Sequence, residues 1–288
     1  MNNAVDNVRA VALGFIARFG DDCGLHLPQI AEEIGLSVEV VDADSFEGAL
    51  LRISGLPRGT VVLNSNIRED GRRLFTLAHE IGHYLLPDQQ DRAGPCSRND
   101  IAQWSTQMPS AELQANRFAA EILMPEAKLA ELLKREPGYQ LVSEIAEKCW
   151  TTLTAAMYRY VELSTFRIAM VWSTNRRSTW YRASEEFGRA IELGSLNPAS
   201  YAYDCFANQR VPNQFEAVPA NAWLYDSNLR EHAKILEYSV YLPFYKSVLS
   251  LLYLKDRVER WDESDGEDQS EMDPNEFTIH RRNWPGKR

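Results

Sequence analysis

The chain has 288 residues, 44% of them hydrophobic and 25% charged, with a formal net charge of −10, which suits one large or two to three small globular cores. The opening MNNAVDNVRAVALGF lacks the basic start and long apolar run of a secretory signal, so a cytoplasmic protein is expected. Acids between Asp262 and Glu276, in a stretch without Lys or Arg, carry most of the net charge; this leaves a nearly neutral body and an acidic tail too poor in apolar residues to order itself.

Apolar positions at helical spacing run from Val5 to Phe19, and a short helix from Pro28 through Ile34 is closed by Gly35. Strands are expected at Val38 to Val41, Ala49 to Ile53 and Thr60 to Asn64. Arg72 to Leu86 reads as a helix stopping at Pro87, followed by a polar loop over 88–109. Ser110 suits the N-cap of a helix reaching Met124, with another through Lys134 after Pro125. Two short helices, Val142 to Lys148 and Thr154 to Leu163, precede a hairpin of Arg167 to Trp172 and Ser178 to Arg182. The apolar segment from Tyr238 to Leu254, broken by Pro243 and Lys246, falls short of a bilayer span and reads as a buried helix.

The chemistry is concentrated in His79-Glu80-Ile81-Gly82-His83. Histidines at i and i+4 project from one helix face, so both imidazoles can reach one tetrahedral ion. At about 100 degrees per residue, Leu74, Leu77, Ala78, Ile81 and Leu85 form an apolar stripe, and the two histidines point roughly 140 and 180 degrees away from Leu74. With 5 histidines in the whole chain, a chance HExxH has a likelihood on the order of one per cent. In such a motif zinc acidifies a water and the glutamate, here Glu80, takes its proton. A third protein ligand is needed. Leu86 and Gln89 stand where metzincins have Gly and His, which excludes that class. Glu112 and Glu121 of the next helix are about half a turn out of phase, so only one can face the histidines; Asp88 and Asp91, just after Pro87, read as solvated loop residues. Cys23, Cys96, Cys149 and Cys205 form no CxxC pair, and buried free thiols are expected rather than a disulfide framework or cysteine zinc cluster; the alternative, that one of them caps a zinc or senses redox, is the weaker reading because nothing in the sequence singles one out.

The run from Arg73 through His79-Glu80-Ile81-Gly82-His83 to Leu86, followed by Glu112-Leu-Gln-Ala-Asn-Arg-Phe-Ala-Ala-Glu-Ile-Leu-Met-Pro125, resembles the ImmA/IrrE family of bacterial and phage metallopeptidases in order and spacing. The resemblance spans roughly residues 8–165. It implies one zinc ion per chain held by His79, His83 and Glu112, with Glu80 as the catalytic base. Asn116, one turn beyond Glu112, is then a packing residue or a partner of a ligand, packing being the expectation. The implied activity is endoproteolysis of a specific protein, typically a helix-turn-helix transcriptional repressor, relieving repression. In related zincins an edge strand holds the substrate backbone, and Val61 to Asn64 is the candidate here, an interior strand being the alternative. Tyr84, His26 and Arg73 are candidates for stabilising the tetrahedral intermediate, each with a structural role as the simpler reading.

The expected fold class is α+β. A minimal zincin-like peptidase domain (1–138) is followed by a helical segment with a hairpin (139–183) whose pattern fits a winged-helix module. A small mixed C-terminal domain of unassigned role (184–260) and the acidic tail (261–288) complete the chain. Arg176 and Arg177 at the hairpin turn, between Trp172 and Trp180, raise a second reading: a zinc-containing DNA-binding or sensor regulator without proteolysis. No further basic stripe accompanies them, so direct nucleic-acid binding is the weaker reading, and no membrane contact is expected.

Overall fold

The computed structural model describes residues 2–52, 56–89, 94–97, 100, 110–207, 211–225 and 232–255. Asp91 and the acidic tail lie outside these. The fold is α+β, an N-terminal helix-and-sheet half followed by a β-rich C-terminal half.

The N-terminal half opens with α1 (Asn2–Phe19) and α2 (Leu27–Glu33). Val8, Ala12, Phe15 and Ile16 of α1 are buried at helical spacing. After α2, Gly35 at φ +93° turns the chain into the sheet. Strands β1 (Leu36–Val41), β2 (Gly48–Arg52), β3 (Gly59–Asn64) and β4 (Gly94–Cys96) form it in the order β1-β3-β2-β4. β1 and β3 are parallel, while β2 is antiparallel to both β3 and β4. β3 is therefore interior, bonded on both sides, which removes Val61 to Asn64 as an open docking edge. β4 arises within the stretch read from sequence as polar loop.

Helix α3 (Asp70–Leu85) packs on β2 and β3 and against α4 (Ser110–Leu123). α4 continues after Pro125 only as one turn, α5 (Glu126–Leu129). The next helices are α6 (Tyr139–Lys148) and α7 (Leu153–Leu163), the latter capped by the Thr152 side chain, which accepts from the Ala155 N–H at 3.1 Å.

The second sheet is wholly antiparallel. Its members are β5 (Ile168–Thr174), β6 (Arg177–Ala183), β7 (Gly194–Ser195), β8 (Glu216–Pro219), β9 (Lys234–Leu242) and β10 (Ser247–Tyr253), in the order β7-β6-β5-β10-β9-β8. The β5–β6 turn uses Asn175 and Arg176 at φ +52° and +58°, the primed geometry that matches strand twist. Because β5 is bonded on its other side to β10, this hairpin is the middle of a six-stranded sheet and not the wing of a 139–183 winged-helix unit. Arg176 lies over the Tyr203 ring at 5.1 Å and Arg177 donates to Ser195 Oγ at 2.9 Å, so both turn arginines serve local packing.

The expected buried helix over Tyr238 to Leu254 is instead the β9–β10 hairpin. Tyr238, Val240 and Leu242 alternate with more polar neighbours, and the break at Pro243, completed by Lys246 at φ +50°, reverses the chain. Alternation also splits the sheet's two faces. Ile168, Met170, Trp172, Leu249 and Leu251 join the large core of the N-terminal half, whereas Ala169, Val171, Val248 and Leu252 face a smaller core closed by α8 (Tyr201–Phe206) and Trp223. Among the described residues no helix is long and apolar enough to cross a membrane.

Candidate metal centre

Two helices set the site. α3 presents His79 and His83, α4 presents Glu112, and the helices approach closely at Gly82, where a Cβ would lie 3.1 Å from the Phe118 ring and 3.2 Å from Ala115 Cα. Only glycine allows that approach without displacement. His79 Nε2 lies 3.1 Å from Glu112 Oε2, His83 Nε2 lies 3.4 Å from the same oxygen, and the two Nε2 atoms are 2.9 Å apart. All three residues are buried.

A fourth donor comes from a place the sequence did not advertise. Cys96, at the end of β4, puts Sγ 3.6 Å from His83 Nε2, and the donor atoms of His79, His83, Cys96 and Glu112 all lie within 4.8 Å of one another. Tetrahedral ligands at zinc bond lengths sit roughly 3.3–3.8 Å apart, close to these separations, and two imidazoles, a carboxylate and a thiol are the donors zinc takes. The residues therefore fit the zinc ion that the resemblance implies.

The outer nitrogens are fixed as well. His79 Nδ1–H donates to Asn116 Oδ1 at 2.9 Å, and Asn116 Nδ2 donates to the Asp100 carbonyl at 2.8 Å. Asn116 therefore orients His79 rather than merely packing. His83 Nδ1–H donates to Gln89 Oε1, while Gln89 Nε2 donates to Gln114 Oε1 at 2.8 Å and to the Ala111 carbonyl at 3.2 Å. Each bond selects the tautomer that leaves Nε2 bare toward the centre. Gln89, which stands where a metzincin has its third histidine, thus reaches the site through His83.

Glu80 is fully buried and lies under the start of β2. A Cβ on Gly48 would come within 2.7 Å of Glu80 Oε1 and 2.6 Å of Thr76 Cγ2, so Gly48 is the residue that admits the carboxylate. Gly48 in turn is paired across the sheet with Cys96. Beside it Glu47 and Arg72 form a buried ion pair, and the Glu47 N–H donates to the Cys96 carbonyl at 3.0 Å.

The remaining sequence candidates lie elsewhere. Glu121 pairs with buried Arg159 at 2.8 Å, and Asp88 is exposed. Tyr84 donates to the Ile34 carbonyl at 3.2 Å, Arg73 donates to the Ile67 carbonyl at 2.7 Å, and His26 is exposed at the end of a short 3-10 turn. Tyr84 and Arg73 are thereby engaged in holding neighbouring backbone. Cys23, Cys149 and Cys205 are buried free thiols, and burial pushes Cys23 up to about 11.

A helix-borne HExxH with a carboxylate from the following helix is the arrangement of the metallopeptidase class. Residues 29–160 match the family model of the IrrE N-terminal-like domain, Peptidase_M78. Over 107 residues the chain is 33% identical to the radiation response metalloprotease IrrE of Deinococcus radiodurans, covering 37% of this chain and 32% of that protein; for the Deinococcus deserti protein of the same name the figures are 32% over 103 residues, 35% and 36%. The chain thus spans about a third of the length of these curated relatives. Residues 29–160 therefore resemble the ImmA/IrrE family. A solved structure titled Mycobacterium tuberculosis transcriptional regulator superposes with TM-score 0.53 at 14% identity, covering 86% of both chains, which extends the likeness of fold into the C-terminal half.

Proposed function

We propose that this chain is a zinc-dependent endopeptidase of the cytoplasm, with His79, His83 and Glu112 holding one zinc ion and Glu80 acting as the proton acceptor. The observation that carries the reading is the convergence of three buried donors within 3.4 Å of one another, on two helices whose outer polar partners fix both histidine tautomers. Zinc, when bound there, supplies a Lewis acid that acidifies water and polarises a peptide carbonyl. Glu80, next to His79, about one turn before His83 and shielded by Gly48, takes up the proton and passes it to the departing amine. Glu112 contributes the negative charge that offsets the ion in a buried site. The target, by family resemblance, is a helix-turn-helix repressor.

Cys96 adds a condition. Catalysis needs a coordination position open to water and substrate, whereas four protein donors describe a closed site. With Cys96 in place the centre is latent, and hydrolysis requires its thiol to withdraw. The same four donors favour the second reading, a regulator whose zinc is structural or sensory. Three variants separate them. Glu80→Gln is expected to keep one zinc per chain by elemental mass spectrometry while proteolysis falls by about 10²- to 10⁴-fold; Glu112→Ala is expected to lose zinc. Cys96→Ser, still zinc-loaded, is expected to cleave the target faster than the parent. A zinc-loaded Cys96→Ser protein that cleaves no repressor from its own genome would give the regulator reading precedence.

A further inference from the structure

Peptide-bond hydrolysis at this centre requires an extended backbone to run beside the donor cluster and over Glu80. Glu80 lies beneath Gly48, so among the described residues β2 is the strand placed to guide such a backbone. One of its edges is bonded to β3. The other is bonded to β4, through the pairs Gly48↔Cys96, Ala49↔Pro95 and Leu50↔Gly94. β4 is a three-residue strand that places a side-chain donor among the metal-binding groups.

We propose that the β2 edge is the substrate-binding edge and that Gly94–Cys96 is its resident stand-in, an extended segment of the chain's own that must be displaced before a target strand can pair there. This rests on the peptidase reading. Three features carry it. Strand addition to a sheet edge binds a partner mainly through main-chain hydrogen bonds, largely regardless of sequence, and β4 engages β2 in that way. β4 is poor at holding its place: Pro95 has no N–H to donate, and three residues form few bonds. The track also continues past Cys96. Ser97 enters a cavity of about 790 Å³ bordered by Glu47, Asn64, Arg68, Arg72 and Phe244, large enough for the side chains that follow the residue at the metal. Phe244 comes from the β9–β10 turn, so the C-terminal half furnishes part of the wall that such a target would meet. The occupant is an extended loop or linker of a protein; a folded helix cannot pair with the edge.

The test uses zinc-loaded full-length Glu80→Gln protein, which cannot hydrolyse the probe, and a fluorescein-labelled peptide copying residues 93–98 with serine in place of the cysteine. Ala49→Cys and Pro95→Cys are added to lock β4 onto β2 on oxidation, these positions being directly opposed. The reduced protein is expected to bind the peptide and the oxidised protein to bind it at least about ten-fold more weakly. In the unaltered wild type, which needs no lock, the unlabelled peptide is expected to raise the rate of iodoacetamide alkylation at Cys96 several-fold, read by peptide mapping. Equal binding by locked and unlocked protein overturns the inference, as does alkylation of Cys96 that the peptide leaves unchanged. Zinc content of the same samples separates the two levels: a protein that never holds zinc sinks the peptidase reading and this inference with it, whereas a zinc-loaded protein whose β4 stays put sinks the inference alone.

Discussion

At the scale of single residues, the donor cluster is held in place by side chains outside it. Asn116 and Gln89 each accept a hydrogen bond from a histidine Nδ1–H and are themselves anchored, Asn116 to the Asp100 carbonyl and Gln89 to Gln114 and the Ala111 carbonyl. Without either amide a ring can rotate or adopt the other tautomer. Asn116→Ala and Gln89→Ala are each expected to weaken zinc binding by about 10- to 100-fold in a competition titration against a chromophoric chelator, with circular dichroism unchanged. Affinities equal to wild type in both would mean that helix packing alone sets the rings. His79, Glu80 and His83 stand out in the sequence because helical spacing is local and strict; Glu112 was set apart from Glu121 only by the family resemblance, which also raised Asn116, with packing as the expectation. Cys96 and Gln89 were not singled out, since a lone cysteine or amide carries no spacing signal and its role depends on which strand or turn folds back beside it.

At the scale of elements, the same division holds. α3, α4 and α7 were legible to within a few residues because their apolar stripes are long and their ends carry Pro87, Pro125 and a Thr152 cap. β4 was hidden in a Gly-Pro-containing stretch, and the segment of β9–β10 was taken for a helix because β10 is buried on both faces, and its nearly continuous apolar run hides the two-residue period. One junction joins three of these elements. Arg72 of α3 forms a buried ion pair with Glu47, just ahead of β2, and its guanidinium carbon sits 4.6 Å from the Phe244 ring and 5.2 Å from the Tyr245 ring in the β9–β10 turn. Removing one partner of a buried pair leaves the other charge desolvated. Arg72→Met is therefore expected to cost about 3 kcal/mol in urea unfolding, and Glu47→Leu in the same chain to recover much of it. A double variant as unstable as the single one would assign the loss to Arg72's aromatic contacts instead.

At the scale of the whole molecule, one face of the second sheet shares a continuous core with the N-terminal half, and the other closes over a smaller core of its own. Within that smaller core lies Glu237, fully buried on β9. Its carboxylate oxygens accept from Trp223 Nε1–H at 2.8 Å, the Ala202 N–H at 2.7 Å and Ser239 Oγ at 2.7 Å. Burial pushes its carboxyl above the ordinary carboxylate value, with those donors pulling the other way, and burial together with the Glu237 charge raises the Cys205 thiol to about 11. A group that holds its proton in the fold but ionises freely once unfolded penalises the folded state as pH rises. The penalty begins near the ordinary value of 4.5 and levels off above the raised one. Glu237→Gln cannot ionise, so its stability should lack this slope. The difference in unfolding free energy, variant minus wild type, is expected to move in the variant's favour between pH 4 and pH 7, on top of a constant cost for offering an amide N–H to a site built of donors. Parallel pH profiles for the two proteins would show that Glu237 ionises as readily inside the fold as outside it, with its three donors fully offsetting its burial.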